Sequence, residues 1–206
     1  MAMEHESRLR SRFVHDDVRL PACFVEYALE RFSEPGAVVF DPFAGFGTTL
    51  AVAEAMDRVG YGTEIDTDRA EYTRQRLASP ERLLTADVRD LKALGLPAFD
   101  VSLSSPPYMQ IGDTEDPLSA YVSPGRGYDA YIDELAGVYA SLRRMMKPDA
   151  WLLIEIANLR RESVVTTLAW DLARALEGVF SFQGEIVICW DAYGFGYEHS
   201  YCLVYR

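Results

Sequence analysis

Near the middle of the chain, Ser104, Ser105, Pro106, Pro107 and Tyr108 follow one another without a break. Two consecutive prolines stiffen a turn, so that hydroxyls, carbonyls and an aromatic face are presented together. Such a set suits chemistry at an exocyclic amino nitrogen, a poor nucleophile because its lone pair is delocalised into the ring. The Ser105 hydroxyl and the Pro106 carbonyl can accept the two amino hydrogens, turn the lone pair outward and stabilise the positive charge that develops on attack. Tyr108 can stack on a base rotated out of a helix or taken from a single strand. Attack from ring carbon 5 would need a thiolate in this loop, and the three cysteines, Cys23, Cys189 and Cys202, lie elsewhere.

A second loop, Asp41-Pro42-Phe43-Ala44-Gly45-Phe46-Gly47-Thr48-Thr49, separates an apolar run from a helical one. Its glycines let backbone approach a ligand, and a side chain at Gly45 is expected to fill the loop. Leu50 stands where a dinucleotide fold would place its third glycine, and Asp41 would repel a pyrophosphate. S-adenosylmethionine, with a sulfonium and an ammonium against one carboxylate, is electrostatically compatible with that acid. Glu64, followed by Ile65, is placed to accept hydrogen bonds from ribose hydroxyls. Asp87, followed by Val88, is placed to accept from an adenine amino group. The candidate cofactor residues are Asp41, Pro42, Phe43, Gly45, Gly47, Thr48, Thr49, Glu64, Ile65, Asp87, Val88 and Ser104, with three acids at the ends of three consecutive strands.

Those strands come from an alternating pattern that reads as α/β. The expected helices run from about Ala22 to Phe32, from the Gly loop to Asp57, Asp68 to Leu77, Tyr128 to Met146 and Val164 to Leu176. The expected strands are Val38 to Phe40, Tyr61 to Ile65, Leu83 to Thr85, Phe99 to Leu103 and Trp151 to Ile156. A final pair, Gly184 to Trp190 and Tyr201 to Tyr205, reads as a hairpin. At 206 residues and 49% hydrophobic, the chain is expected to form one domain. Polar residues 109–127, with Gly112, Pro117, Pro124 and Gly125, read as a mobile loop over the substrate.

No run approaches the roughly twenty apolar residues of a membrane span, and the charged amino terminus is unlike a secretory signal, so a soluble, cytoplasmic protein is expected. The cysteine spacing suggests neither disulfides nor a metal site, and the three thiols are expected to be reduced and buried. The formal charge of −12 argues against a broad basic face for polynucleotide. Local patches such as Arg143, Arg144 and Lys147, or Arg160 and Arg161, a homodimer, or a separate recognition subunit would have to supply that contact.

With these residues in hand, the chain resembles the amino-methyltransferases of DNA. Asp41 to Leu50 is similar to their cofactor motif, Tyr61 to Asp66 to the motif with the ribose-binding acid, and Ser105 to Tyr108 to the Ser-Pro-Pro-Tyr form of the catalytic motif. The resemblance implies a Rossmann-like, mostly parallel doubly wound sheet ending in a β-hairpin, with S-adenosylmethionine as cofactor. It also implies catalysis by Ser105, Pro106, Pro107 and Tyr108 on a DNA base, cytosine N4 favoured over adenine N6, as in restriction-modification enzymes. Residues 1–36 resemble the segment that covers the cofactor, and Tyr197 and His199 belong to a stretch similar to the motif beside the target base. An RNA base, a protein glutamine, or a catalytically silent subunit are the alternatives; Ser105, where glutamine enzymes carry Asn, favours a base.

Overall fold

The computed structural model of the protein describes residues 20–190 and 199–206. In chain order its helices and strands are α1 (Ala22–Phe32), β1 (Val38–Asp41), α2 (Thr48–Ala55), β2 (Val59–Glu64), α3 (Thr67–Arg74), β3 (Leu83–Thr85), β4 (Phe99–Ser104) and α4 (Tyr128–Arg143). They continue with β5 (Met146–Ile156), β6 (Leu159–Arg161), β7 (Val164–Thr166), α5 (Leu168–Ala175), β8 (Phe182–Cys189) and β9 (His199–Tyr205).

Seven strands form one sheet in the order β3-β2-β1-β4-β5-β9-β8. The first five pair in parallel, β9 runs antiparallel to β5, and β8 runs antiparallel to β9. This is the mostly parallel doubly wound sheet with a terminal hairpin that the sequence resemblance implies. Because β1 lies between β2 and β4, the chain winds outward in opposite directions from that pair, which opens a crevice at the carboxyl ends of β1 and β4.

Both faces of the sheet are covered, which is why the central strands read as nearly continuous apolar runs. Successive side chains of β5 go to opposite faces. Leu153 joins Phe24, Val25, Ala28 and Leu29 of α1, with Val39, Val101 and Leu103. Leu152 and Ile154 join Leu135, Val138, Tyr139 and Leu142 of α4, with Phe40 and Leu203. Helix α1 thus caps a sheet face, its Pro21 carbonyl accepting from the amides of Phe24 and Val25.

The expected helix from Val164 to Leu176 is corrected. Residues 159–166 form the β6–β7 hairpin, turning through Glu162 at a φ of 54°, and only Leu168–Ala175 is helical. The β-branched run Val164-Val165-Thr166 pairs with Leu159, Arg160 and Arg161 instead. Helix α4 ends at Arg143, and β5 begins at Met146, reaching the main ladder at Trp151 after a register shift opposite Phe99 and Val101. Cys202 is buried as expected, whereas Cys23 and Cys189 are exposed.

Candidate active site

The three acids meet at one sheet edge because β1, β2 and β3 are adjacent and parallel. Asp41 is the last residue of β1, Glu64 the last of β2, and Asp87 follows β3 by two residues. Asp41 is 2% exposed, and its Oδ1 accepts the Phe43 amide at 3.0 Å. Burial pushes its carboxyl up to about 7, against the opposing pull of the Thr49 hydroxyl and of that amide, and the charge of Glu64 adds to the rise. Glu64 accepts the amides of Gly45 at 2.9 Å and Asp66 at 2.8 Å. Burial raises its pKa too, opposed by the Arg69 guanidinium 3.7 Å away.

The Gly loop is shaped by this acid and by a close approach. Gly47 sits at the amino end of α2 in the left-handed region, and a Cβ there would meet Thr73 Cγ2 at 2.3 Å. Gly62 of β2 would clash with Ala44 and Leu50, so its missing side chain is what lets the loop lie on the strand. At Gly45 the nearest neighbour of an added Cβ would be the Phe43 carbonyl at 3.8 Å, so the space is open. The steric demand thus falls on Gly47, not on Gly45, where only the φ of 53° favours glycine.

Asp87 is already engaged. Burial pushes its pKa up, but hydrogen bonds and charge from Arg89 outweigh this and hold it below the usual value. Arg89 Nε reaches both carboxylate oxygens at 2.9 Å, and its guanidinium also faces Asp116 and Glu134. Of the neighbouring expected residues, Ile65 lies outside β2 and is 36% exposed, whereas Val88 packs in the core. Pro42 is buried, its carbonyl accepting from Thr63 Oγ1 at 2.7 Å, and Phe43 packs edge-on near Tyr139.

These residues fit S-adenosylmethionine. Two buried carboxyls, whose ionised forms a positively charged ligand would stabilise, stand at this edge, and the Thr49 hydroxyl in the first turn of α2 lies beside Asp41. A cleft of about 490 Å³ adjoins this edge, between Ile65, Asp66 and Asp68 on one side and Ser119, Val122 and Ser123 on the other. Asp41, Thr49 and the Gly loop would hold the methionine end, and Glu64 the ribose.

Across the crevice, β4 ends at Ser104, which is fully buried with its Oγ 3.2 Å from the Tyr139 hydroxyl. Ser105, Pro107 and Tyr108 are half-buried and Pro106 is buried. The Tyr108 hydroxyl donates to Oε2 of Glu155 at 3.0 Å. Glu155, on β5, is 4% exposed. Burial raises its pKa, opposed by the hydroxyls of Ser200, Ser105 and Tyr108. Glu155 was not among the residues expected from sequence, although one signal was there: a lone acid in the apolar run Trp151-Leu152-Leu153-Ile154-Glu155-Ile156.

His199 begins β9 at the same sheet edge, with Nε2 2.7 Å from the Tyr201 hydroxyl, and the Tyr201 ring lies 4.7 Å from Trp170. Tyr197 falls outside the described residues. Among the described residues there is no cluster of side chains that could hold a metal ion, and no helix is long and apolar enough to cross a membrane.

Sheet order, winding and the crevice between two motif-bearing loops define the Rossmann-like methyltransferase fold. A TehB-like S-adenosylmethionine-dependent methyltransferase from Corynebacterium glutamicum superposes with a TM-score of 0.57 at 13% identity, over 95% of this chain and 92% of that one. In sequence, residues 4–75 match the family described as DNA methylase. The chain is 36% identical to the type II methyltransferase M.BglII of Bacillus subtilis over 67 residues, 31% of this chain and 19% of the relative. It is 33% identical to the methylase YubD of Escherichia coli (strain K12) over 70 residues, 34% of this chain and 31% of the relative. These matches support the DNA amino-methyltransferase family on the part of the chain that carries the cofactor loop, and the chain spans less than a third of either relative.

Proposed function

We propose that the protein is an S-adenosylmethionine-dependent methyltransferase acting on an exocyclic amino group of a DNA base, cytosine N4 in preference to adenine N6. The observation that carries this reading is the placement of the Asp41–Thr49 loop and the Ser105–Tyr108 loop at the ends of adjacent parallel strands, β1 and β4. When bound, S-adenosylmethionine supplies an electrophilic methyl group. Asp41 and Glu64 then set its position by charge and by hydrogen bonding.

The chain's own contribution to the reaction lies in the second loop. Ser105 Oγ and the Pro106 carbonyl accept the amino hydrogens of the target base and direct its lone pair into the crevice. Tyr108 stacks on the base, and its bond to Glu155 fixes the plane of the ring. Segment 109–127 covers the substrate, and His199 borders the base. With a formal charge of −12, a second copy or a recognition subunit supplies most of the phosphate contacts. The similarity to M.BglII favours a role in restriction-modification.

The test is transfer of labelled methyl groups to duplex DNA, single-stranded DNA and bulk RNA, followed by digestion to nucleosides and mass identification. N4-methylcytosine in DNA is expected. Label confined to RNA would replace the DNA assignment with that substrate. Absence of S-adenosylmethionine binding by calorimetry would overturn the reading in favour of a silent subunit, and bound cofactor without transfer to any of them would point to a missing recognition subunit or a protein substrate.

A further inference from the structure

Pro106 and Pro107 have no amide hydrogen, so the catalytic loop has few donors of its own with which to fix its carbonyls. Three tyrosine hydroxyls reach it from outside. Tyr139 of α4 lies 3.2 Å from Ser104 Oγ, Tyr131 of α4 donates to the Pro107 carbonyl at 2.6 Å, and Tyr121 donates to the Tyr108 carbonyl at 2.9 Å. Tyr131 and Tyr139 are 3% and 0% exposed and stand on one 16-residue helix, so they hold the loop from a rigid support. Burial pushes the pKa of both hydroxyls far above the ordinary value, so both keep their protons throughout the working pH range.

Tyr121 reaches the loop from a strained arch. It and Ala120 both lie in the left-handed region, at φ values of 60° and 55°, where glycine would be cheaper. The Asp116 carbonyl accepts the amides of Ser119 and Tyr121 and the Ser119 hydroxyl, which keeps the arch folded despite the strain. The same arch contributes Ser119 and Val122 to the cleft beside the cofactor edge.

We propose that Tyr131 is a positioning residue for methyl transfer, orienting the Pro107 carbonyl and with it the Ser105-Pro106 acceptors, and that Tyr121 completes this hold at Tyr108. The proposal rests on the reading of the site as an amino-methyltransferase centre. Tyr128 provides the control, since it belongs to the same helix but its hydroxyl donates to Asp171, away from the loop.

The experiment compares Tyr131→Phe, Tyr121→Phe and Tyr128→Phe in the full chain. For Tyr131→Phe, kcat is expected to fall roughly tenfold, with the cofactor Kd and the KM for the nucleic-acid substrate within about twofold of the parent. Tyr121→Phe should lose a few-fold, and the double variant more than either. Tyr128→Phe should keep kcat even where its Tm falls as far as that of Tyr131→Phe. Hydrogen exchange across 104–110 should rise in Tyr131→Phe and Tyr121→Phe and stay at the parent level in Tyr128→Phe, a readout that needs no turnover. Full kcat in Tyr131→Phe, or an equal loss in Tyr128→Phe, would overturn the proposal. If the parent binds no S-adenosylmethionine, the functional reading falls by itself; exchange at 104–110 then decides the hold, and unchanged exchange in Tyr131→Phe sinks it.

Discussion

The Tyr108 hydroxyl donates to Oε2 of Glu155 at 3.0 Å, which ties the aromatic residue of the catalytic loop to a buried acid on the neighbouring strand. The acid is held in an apolar strand at a desolvation cost that raises its pKa, opposed by the hydroxyls of Ser200, Ser105 and Tyr108. A group kept under those conditions is expected to serve the site more than the fold.

Replacing Glu155 by Leu should therefore separate stability from turnover. Removing the buried carboxyl ends its desolvation cost but leaves the hydroxyls of Ser200, Ser105 and Tyr108 without their acceptor, so the midpoint of chemical denaturation is expected to move little. Turnover should fall by about tenfold to a hundredfold, the worth of a hydrogen bond to a charged group. Tyr108→Phe should reproduce most of that loss, because it deletes the same bond while keeping the ring, and Tyr108→Ala should lose more. Cofactor affinity by calorimetry is expected to stay near the parent value in all three. A Glu155→Leu protein that unfolds more easily and turns over normally would make the acid structural.

Asp41 carries a pH dependence whose sign is fixed by its raised pKa. A carboxyl at about 7 in the folded chain and near 3.8 when unfolded binds more protons folded than unfolded between those values. Its contribution to stability is complete below about pH 4 and is lost as pH rises to about 7. Cofactor binding follows the opposite sign, since the ionised carboxylate attracts the ammonium and sulfonium. Affinity for S-adenosylmethionine should therefore rise between pH 6 and 8, and Asp41→Asn should bind weakly with most of that slope gone. Calorimetric titrations across the range check this, and a flat profile in the parent chain would remove Asp41 from the cofactor site.

Much of this arrangement was legible in the sequence, and the omissions have physical causes. Acids at the ends of consecutive strands are a local signal: each apolar run names its strand, and the residue after it names the edge. Glu155 becomes significant only when β4 and β5 pair Ser104 with Ile154, so that the neighbouring side chain faces the loop. Tyr121 and Tyr131 were hidden for the same reason, since 13 and 24 residues separate them from the carbonyls they cap. The helix expected at Val164 failed because periodicity alone does not distinguish a short β-branched hairpin from a first helical turn. The motif named both Gly45 and Gly47, but the steric constraint at Gly47 was not legible because it comes from Thr73, 26 residues on.

That contact makes a reversible prediction. Gly47→Ala should destabilise the chain by about 2 kcal/mol, through overpacking against Thr73 and a left-handed φ. Gly45→Ala meets open space and should cost less, about 1 kcal/mol from backbone strain alone. Adding Thr73→Ser to Gly47→Ala removes the offending methyl but keeps the hydroxyl that bonds the Gly45 carbonyl at 3.0 Å. The double variant should recover the steric part of the loss in urea denaturation. Equal costs at the two glycines, or no recovery with serine, would place the constraint elsewhere.

Glu64 joins the Gly loop to the proposed ribose site, and two substitutions divide those tasks. Glu64→Gln keeps an oxygen that can accept from the Gly45 amide, but it loses the negative charge and places an NH2 donor where Oε1 accepts the Asp66 amide. Its cofactor affinity should fall about tenfold with a modest loss of stability, because the lost acceptor for the Asp66 amide is partly offset by removal of a carboxylate penalised by burial. Glu64→Ala leaves the amides of Gly45 and Asp66 without their acceptor as well. It should lose affinity further and unfold at lower urea concentration than the glutamine variant. Calorimetry and denaturation on the two proteins read the tasks separately. Parent-like affinity in Glu64→Ala would show that the ribose is held elsewhere, and with it would go the assignment of the β2 end to the cofactor.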